Sequence, residues 1–300
     1  MEQLIETWLN TEDIEILLDP QALVFFFLAI IIFFIGKAVN NFVAPYNLND
    51  QLTKEDNKAV GLSFAGYVFA LSIVISGLLA GESDLVSSGD VRKDLIADLL
   101  NTGLWGIIAI VYLQIAKIIN DKLLLSRFDN VKELIKDKNV GTGAVQFGSL
   151  VGSALIIRAC LGGEGSESFS VTLLDTSVYF VISQIVFIIF GVLYQKVTRF
   201  DLHDEIEKDN VAAGVAFGLS LISVSILLSG YILKYESFIG LAIWTAISFF
   251  LLLTGRYVVD KVMLPGSLLD EEISKDQNWG AAIVEGASAI GIALVLTAVF

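Results

Sequence analysis

The chain has few of the residues from which soluble enzymes and metal proteins are built. Its 300 residues include one cysteine, Cys160, and one histidine, His203. A single cysteine cannot form an intrachain disulfide, and without cysteine or histidine clusters we expect no metal site and no cofactor. Charged residues make up 17% of the chain, against roughly 25% in an ordinary soluble domain. The net charge of −14 argues against nucleic acid as a partner, because phosphates attract lysine and arginine.

Hydrophobic residues account for 55% of the chain, and its mean hydropathy is +0.74. One soluble core cannot bury this much apolar surface, so the sequence indicates an integral membrane protein. Eight stretches are long and apolar enough to cross a hydrocarbon layer of about 30 Å as helices. They comprise residues 22–42, 59–80, 99–119, 141–161, 173–194, 211–233, 238–257 and 279–300.

The predicted fold is therefore all-α and polytopic, with eight transmembrane helices in two tandem four-helix modules. Residues 1–20 form an acidic N-terminal tail, residues 21–163 the first four-span module and residues 164–300 the second. The tail carries six acidic residues and no lysine or arginine, which is unlike a secretory signal.

The distribution of basic residues predicts the orientation. Fifteen of the nineteen lysines and arginines flank the connections after spans one, three, five and seven. Because positively charged loops stay in the cytoplasm, we expect a multi-pass protein of the bacterial plasma membrane with both termini on the outer, periplasmic side.

A short pattern begins each even-numbered span and defines an internal repeat. An asparagine is followed four residues later by Gly61, Gly143, Gly214 or Ala282, and each odd-numbered span ends in a basic residue. The repeating unit is therefore a helical hairpin, present four times. The four asparagines are Asn57, Asn139, Asn210 and Asn278, and the four basic residues are Lys37, Lys117, Lys196 and Arg256.

The hairpins alternate in type. Seven residues after the asparagine, the first and third hairpins have Phe64 and Phe217, whereas the second and fourth have Gln146 and Glu285. This alternation indicates a four-span module duplicated in tandem. All hairpins enter from the same side, so the two copies are parallel and not inverted.

The Asn-x-x-x-Gly pattern and the pairs Ser76-Gly77 and Ser229-Gly230 resemble the YjfL-like bacterial membrane family, catalogued as domain of unknown function 350, in two tandem copies. The resemblance implies a bacterial inner-membrane protein whose molecular role is not established, and it supplies no catalytic residues. Ala282 departs from the pattern, so we expect the last helix to approach its neighbour less closely.

Two features of the repeat have alternative interpretations. The four asparagines are either helix caps, which we favour, or a ring of amides that coordinates a solute. The small residues spaced four apart on the even-numbered spans either allow close helix packing, which we again favour, or line a narrow pore. We expect an inner cluster of even-numbered helices, sheathed by odd-numbered ones. The packing glycines are Gly61, Gly148, Gly152, Gly214, Gly218 and Gly286.

Glu285 is the most informative single residue. It lies about 10 Å into the last span, where a carboxylate is costly unless it is paired, protonated or hydrated. The repeat places Gln146 at the same depth in span four, so the two side chains are candidates for a shared hydrogen bond or proton. The group either takes part in transport or is held structurally by Gln146.

A second polar layer is expected near the outer end of the even-numbered spans. The repeat aligns Arg158 with Ser76, Ser229 and Thr297. Arg158 either extends outward to water or faces an anion, and the hydroxyls either line a path or bond to their own helix.

Two classes of function remain open. The first is a small-ion or small-solute channel or transporter with a path past Glu285, Gln146 and the outer polar layer. The second is a non-conducting structural or interaction protein of the membrane. We expect no enzyme, because no span combines a nucleophile with a base or paired carboxylates. The expected surroundings are the lipid bilayer, with a homo-oligomer or another membrane protein left open as partner.

Overall fold

The computed structural model describes residues 19–80, 88–162, 168–235, 237–262 and 266–300. Most of the acidic tail expected over residues 1–20 lies outside the described residues, and so do residues 163–167 at the boundary between the two modules.

The described residues contain eight helices that are long and apolar enough to cross a membrane, which confirms the predicted fold class. Four six-residue helices precede the even-numbered spans. The long helices are α1 (Pro20–Val43), α3 (Lys58–Ala80), α4 (Val91–Leu123), α6 (Val140–Leu161), α7 (Phe169–Val197), α9 (Val211–Ile232), α10 (Phe238–Val262) and α12 (Trp279–Val299); the short ones are α2 (Leu48–Thr53), α5 (Asn130–Ile135), α8 (Leu202–Glu207) and α11 (Leu269–Ser274).

Helix α4 differs most from its predicted length. It begins at Val91, eight residues before the apolar stretch, because Asp90 caps its first turn by accepting a hydrogen bond from the Arg92 backbone N–H. Its 33 residues give a length of about 50 Å, more than a bilayer core requires. Hydropathy marks only the membrane-embedded part of such a helix.

The same chain reversal joins each short helix to the span that follows it. One residue with positive φ, namely Asp56, Lys138, Asp209 or Gln277, turns the chain. The next residue is the repeat asparagine, whose side-chain oxygen accepts a hydrogen bond from the backbone N–H three residues further on. The interpretation of the asparagines as helix caps is therefore confirmed.

The even-numbered spans lie side by side in the order α3, α6, α9, α12. Each packs extensively against the next, and the α6–α9 contact between the two modules is as extensive as the α3–α6 contact within the first. Helices α6 and α9 are therefore the most buried spans. The expectation of an inner cluster of even-numbered helices needs correction, because these helices form an open row in which α3 and α12 are the two ends.

The odd-numbered spans form a second layer against this row. Helix α4 packs against α3 and α6, α7 against α6 and α9, and α10 against α9 and α12. Each of them therefore covers the groove between two successive even-numbered helices. Helix α1 packs against α3 and α4 but covers no groove of the row, because no described helix precedes α3 there, and it is the least buried span.

Glycines set the spacing within the row by allowing backbone to touch backbone. A Cβ atom added to Gly143 would lie 2.6 Å from the carbonyl oxygen of Ala59. At the equivalent position of the next repeat, a Cβ on Gly214 would collide with the backbone of Gly141. The close-packing interpretation of the small residues is confirmed at these junctions, and it explains how short side chains hold helices together in lipid.

We predict that Gly148→Leu prevents normal folding. Gly148 faces Gly218 across the α6–α9 junction, so a larger side chain would force two backbones apart and destabilise the protein by at least about 1–3 kcal/mol. The measurement is the amount of protein accumulated in membranes, together with its thermal unfolding in detergent. Ile31→Leu, on the exposed face of α1, is the control and should behave as wild type. Equal accumulation of both variants would contradict the packing described here.

Candidate functional site

The carboxylate of Glu285 lies in a buried cluster of polar groups. Its Oε1 atom accepts hydrogen bonds from Arg256 Nε at 2.5 Å and from the Tyr194 hydroxyl at 3.2 Å. Arg256 Nη2 also donates to Asp270 Oδ1 at 2.7 Å. The Glu285 side chain is 3% exposed, and Arg256 and Asp270 are only slightly more accessible. One guanidinium thus bridges two carboxylates inside the helix bundle.

Four helices deliver these side chains to one place. Glu285 lies two turns into α12, Arg256 near the end of α10, Tyr194 near the end of α7 and Asp270 in the short helix α11. Helix α12 is held against α9 and α10, so Glu285 points away from lipid. The cluster consequently lies at the end of the bundle that carries the short helices.

A small cavity is lined by Glu285 and Arg256. It has about 20 Å³ of room for the centre of a water molecule, which is enough for one or two waters. Its walls include Phe190, Ser220 and Ser223 in addition to Glu285 and Arg256. The Oε2 atom of Glu285 is buried and has no hydrogen-bond partner among the described residues. This oxygen is therefore available to a proton donor or a cation.

A larger cleft of about 150 Å³ is also lined by Arg256. Arg256 and Leu253 line both spaces, and Asp270, Asp260 and Arg199 line the larger one. Arg256 is therefore shared by a water-sized cavity at Glu285 and a wider cleft at the short-helix end.

The formal charges of the buried groups in the cluster do not sum to zero. With both carboxylates ionised, Glu285, Arg256 and Asp270 together carry a formal charge of −1. Arg199 approaches Asp270 at 3.8 Å, but its side chain is 71% exposed and its charge is screened by solvent. A buried net negative charge is costly, so an additional positive charge near the cluster would be stabilised.

Gln146 occupies the equivalent position in the first module but contacts other groups. Its Oε1 accepts a hydrogen bond from the Ser63 hydroxyl at 2.5 Å, and its Nε2 donates to Asp121 Oδ1 at 2.9 Å. The expected hydrogen bond between Gln146 and Glu285 is therefore wrong. Their helices, α6 and α12, stand on opposite sides of α9, and equivalence in the repeat does not make them neighbours.

A tyrosine also lies near the acidic group in the first module. Burial, and then the Asp121 carboxylate, raise the pKa of the Tyr46 hydroxyl to about 12. Tyr46 therefore stays neutral at physiological pH. The two modules share an aromatic hydroxyl near an acid, but only the second places a carboxylate at the position of Glu285.

The residues of the outer polar layer lie at one level of the row, and two of its three hydroxyls form hydrogen bonds within their own helices. The Ser76 and Ser229 hydroxyls donate to carbonyls of their own helices, those of Ile73 and Ile226. The stem of Arg158 crosses Gly77 on α3, and its side chain is exposed. Thr297 lies against Gly230, and its hydroxyl has no partner among the described residues.

The asparagine amides do not form a ring. Those of Asn57, Asn139 and Asn210 are buried, and each donates to a carbonyl in the short helix of the next repeat. The accepting carbonyls belong to Leu134, Ile206 and Ile273. Each of these three asparagines caps its own helix and links its hairpin to the following one.

Comparison with known proteins agrees with this architecture. The family described as Domain of Unknown Function (DUF350) matches residues 10–161 and again residues 168–300. The chain belongs to this family. The two DUF350 segments correspond to the two four-span modules, so the tandem duplication expected from the sequence is confirmed.

Two relatives are transmembrane proteins of bacteria. The UPF0719 transmembrane protein of Aquifex aeolicus (strain VF5) is 22% identical over 265 residues, which cover 86% of this DUF350 chain and 91% of the relative. UPF0719 transmembrane protein YshE of Bacillus subtilis (strain 168) is 22% identical over 133 residues, which cover 44% of this chain and 98% of the relative. The second relative thus has the length of a single module. No solved structure matches the chain.

Sequence reasoning about this DUF350 chain missed the partners of Glu285. Arg256 was recognisable as the basic residue that ends span seven, and the loop it precedes leads directly to the helix that carries Glu285. Tyr194 and Asp270 gave no comparable signal, because nothing in the sequence shows that α7 and α11 meet α12.

We predict that Arg256→Met destabilises the protein by about 3–5 kcal/mol, because it leaves the buried Glu285 carboxylate without its cation. Removing both charges in Arg256→Met/Glu285→Met should recover at least half of that loss. The measurement is thermal or denaturant unfolding in detergent for the four proteins of a double-mutant cycle. Strictly additive effects would show that the two side chains do not interact.

Proposed function

We propose that the protein moves a small ion or small solute across the bacterial plasma membrane, with Glu285 as the group that binds it. The observation that supports this proposal is the unpartnered Oε2 atom of Glu285, which is buried beside a cavity large enough for water. Acidic groups inside membrane proteins commonly mark ion and proton pathways. We assign the protein to transport and not to catalysis.

The charge of the cluster narrows the class of solute. Glu285 and Asp270 compete for one guanidinium, so a proton or a small cation that joins Glu285 would release Arg256 toward Asp270. That movement of the Arg256 side chain would connect the small cavity at Glu285 with the larger cleft at the short-helix end, because Arg256 lines both. Binding and access are then coupled through a single side chain.

The orientation in this proposal follows the basic loops. The short-helix end carries most of the lysines and arginines, so it faces the cytoplasm and both termini face outward. Glu285 is then reached from the cytoplasm. The outer polar layer lies twelve residues further along the even-numbered helices, about 18 Å away, and the passage of a solute between the two levels requires a second conformation.

A non-conducting structural role is the second candidate. The observation that favours it is the close contact between the backbones of the even-numbered helices, together with serine hydroxyls that form hydrogen bonds within their own helices. In this case, Arg256 and Glu285 would serve only to fix α10 against α12.

A flux measurement separates the two candidates. In proteoliposomes, the unmutated protein should transport protons or a small cation, and Glu285→Gln should abolish the flux because an amide cannot ionise. Gln is the residue at the equivalent position of the first module, so the variant should still fold. Ser288→Ala, on the same helix one turn away, is the matched control and should transport normally. Flux that survives Glu285→Gln would remove this residue from the pathway, and no flux in the unmutated protein would favour the structural role.

The orientation has its own test. In a Cys160→Ser background, we expect Lys93→Cys to react with an impermeant thiol reagent added to intact cells and Lys54→Cys to remain unlabelled. Both lysines are well exposed, at 75% and 69%, so accessibility does not distinguish them. Both should label after the membrane is opened. Labelling of Lys54→Cys alone in intact cells would invert the topology.

A further inference from the structure

The even-numbered helices pack against one another at three successive junctions. At each end of the row, one helix has a similar packing surface that has no neighbour within the described part of the chain. We propose that copies of this chain assemble head to tail in the membrane, with α12 of one copy packed against α3 of the next. The occupant of both ends is thus a second copy of the chain. The inference is independent of the transport proposal.

The free surface of α12 repeats the surface by which α6 binds α9. On α6, Gly141, Gly148 and Gly152 lie against α9 or its cap residue Asn210, and Val145 and Ala159 have the same position around the helix; all five are buried. At the same positions after the cap asparagine, α12 has Gly280, Val284, Ala287, Gly291 and Ala298, of which all are exposed. Four of the five residues are identical, and the fifth is alanine in place of glycine. We call these five α12 residues the α12 edge.

The free surface of α3 likewise repeats the surface by which α9 binds α6. That surface of α9 contains Gly214, Gly218, Leu221, Ser225 and Ser229, all of them buried. The equivalent residues of α3 are Gly61, Ala65, Val68, Ser72 and Ser76, which are partly or fully exposed. We call these five the α3 edge. Junctions from α6 to α9 and from α12 to α3 are of the same kind, because both join the end of one module to the beginning of another.

Two glycines show that the contact is unused within one chain. A Cβ added to Gly152 would meet the Ser225 hydroxyl at 2.5 Å, whereas one added to the equivalent Gly291 has no atom within 4 Å. A Cβ on Gly214 would collide with the Gly141 backbone, whereas one on Gly61 would meet only a Leu52 methyl group at 3.7 Å. The edges have the shape for close packing and lack the neighbour.

Polar groups at the short-helix end agree with the same pairing. Asn278 is exposed, and its side-chain amide donates within its own hairpin to Glu272 instead of to a following repeat, as the other three asparagines do. In the proposed pairing, the equivalent acceptor is the backbone carbonyl of Leu52 in another copy. In the α6–α9 junction, Asp209 Oδ1 accepts a hydrogen bond from the Val140 backbone N–H at 2.8 Å. The equivalent groups in the new junction are Asp56 and the Trp279 backbone N–H, so an acceptor faces a free helix N-terminus.

The new junction is wider than the α6–α9 junction at one point. Ala65 and Ala287 replace Gly218 and Gly148, so two methyl groups stand where backbones touch in the internal contact. Side chains also lie between helices in the α9–α12 junction, where Leu219 packs against Gly286. A head-to-tail interface of this kind continues as a ring if its rotation closes and as a filament if it does not.

Disulfide crosslinking tests the pairing directly. In a Cys160→Ala background, Ala65→Cys/Ala287→Cys should give a ladder of oligomers when membranes are oxidised, because these positions correspond to the closest point of the α6–α9 junction. Each single variant alone should give no crosslinked species, and the two single variants co-expressed should give crosslinked dimers and nothing larger. Ala65→Cys/Ile290→Cys, in which the second cysteine lies off the α12 edge, is the matched control and should not crosslink.

A second measurement does not depend on cysteine chemistry. Gly291→Leu should fold, because the added side chain enters open space, but it should reduce the mass of the assembly in lipid nanodiscs or mild detergent to that of the monomer. Gly152→Leu, the same change at the equivalent internal position, should fail to accumulate. The absence of any crosslinked ladder, or equal ladders with the Ile290 control, would show that lipid or another protein covers these edges. An assembly mass that Gly291→Leu leaves unchanged would likewise overturn the proposal.

Discussion

Backbone contact between neighbouring even-numbered helices is the constraint on which the rest of the molecule depends. In lipid, helices gain little from burying apolar side chains, so close approach at small residues must hold them together. Glycines at fixed positions after each cap asparagine provide that approach, as Gly143 does against Ala59. The buried asparagine amides add a directed bond from each hairpin to the next. With the spacing of the row set in this way, the odd-numbered helices fit its grooves and α12 brings Glu285 to Arg256.

The two modules use the same scaffold for different electrostatics. In the first, the Gln146 amide donates a hydrogen bond to Asp121, and the positive charge of Lys117 also acts on this acid. In the second, an ionised Glu285 has no proton to donate, and Asp260, the equivalent of Asp121, instead accepts a hydrogen bond from the Leu269 backbone N–H. A guanidinium then stands between Glu285 and Asp270. The two modules therefore differ at this position in charge, glutamine in the first and glutamate in the second, and the aspartate of the odd-numbered helix has a different partner in each.

The sequence predicts the spans, the hairpin repeat, the helix caps and the packing face, because hydropathy, an asparagine before each span and glycines at helical spacing are local signals. It does not predict the order of helices in space. The repeat places Gln146 and Glu285 at the same depth and so predicts a hydrogen bond between them, yet α9 separates their helices. An inner cluster and an open row have the same glycine pattern, so periodicity could not distinguish them. The partners of Glu285 come from α7, α10 and α11, whose approach depends on tertiary packing alone.

The Glu285 cluster and the α12 edge are mechanically separate although they share one helix. Glu285 and Ala287 are two residues apart, so they point about 200° apart around α12. One faces the cavity beside α9 and α10, and the other faces outward from the row. A neighbouring copy could therefore occupy the α12 edge without touching the carboxylate or the guanidinium. It would influence the cluster only by fixing the position of α12, and any coupling between the proposed assembly and the proposed transport would have to pass through that helix as a rigid body.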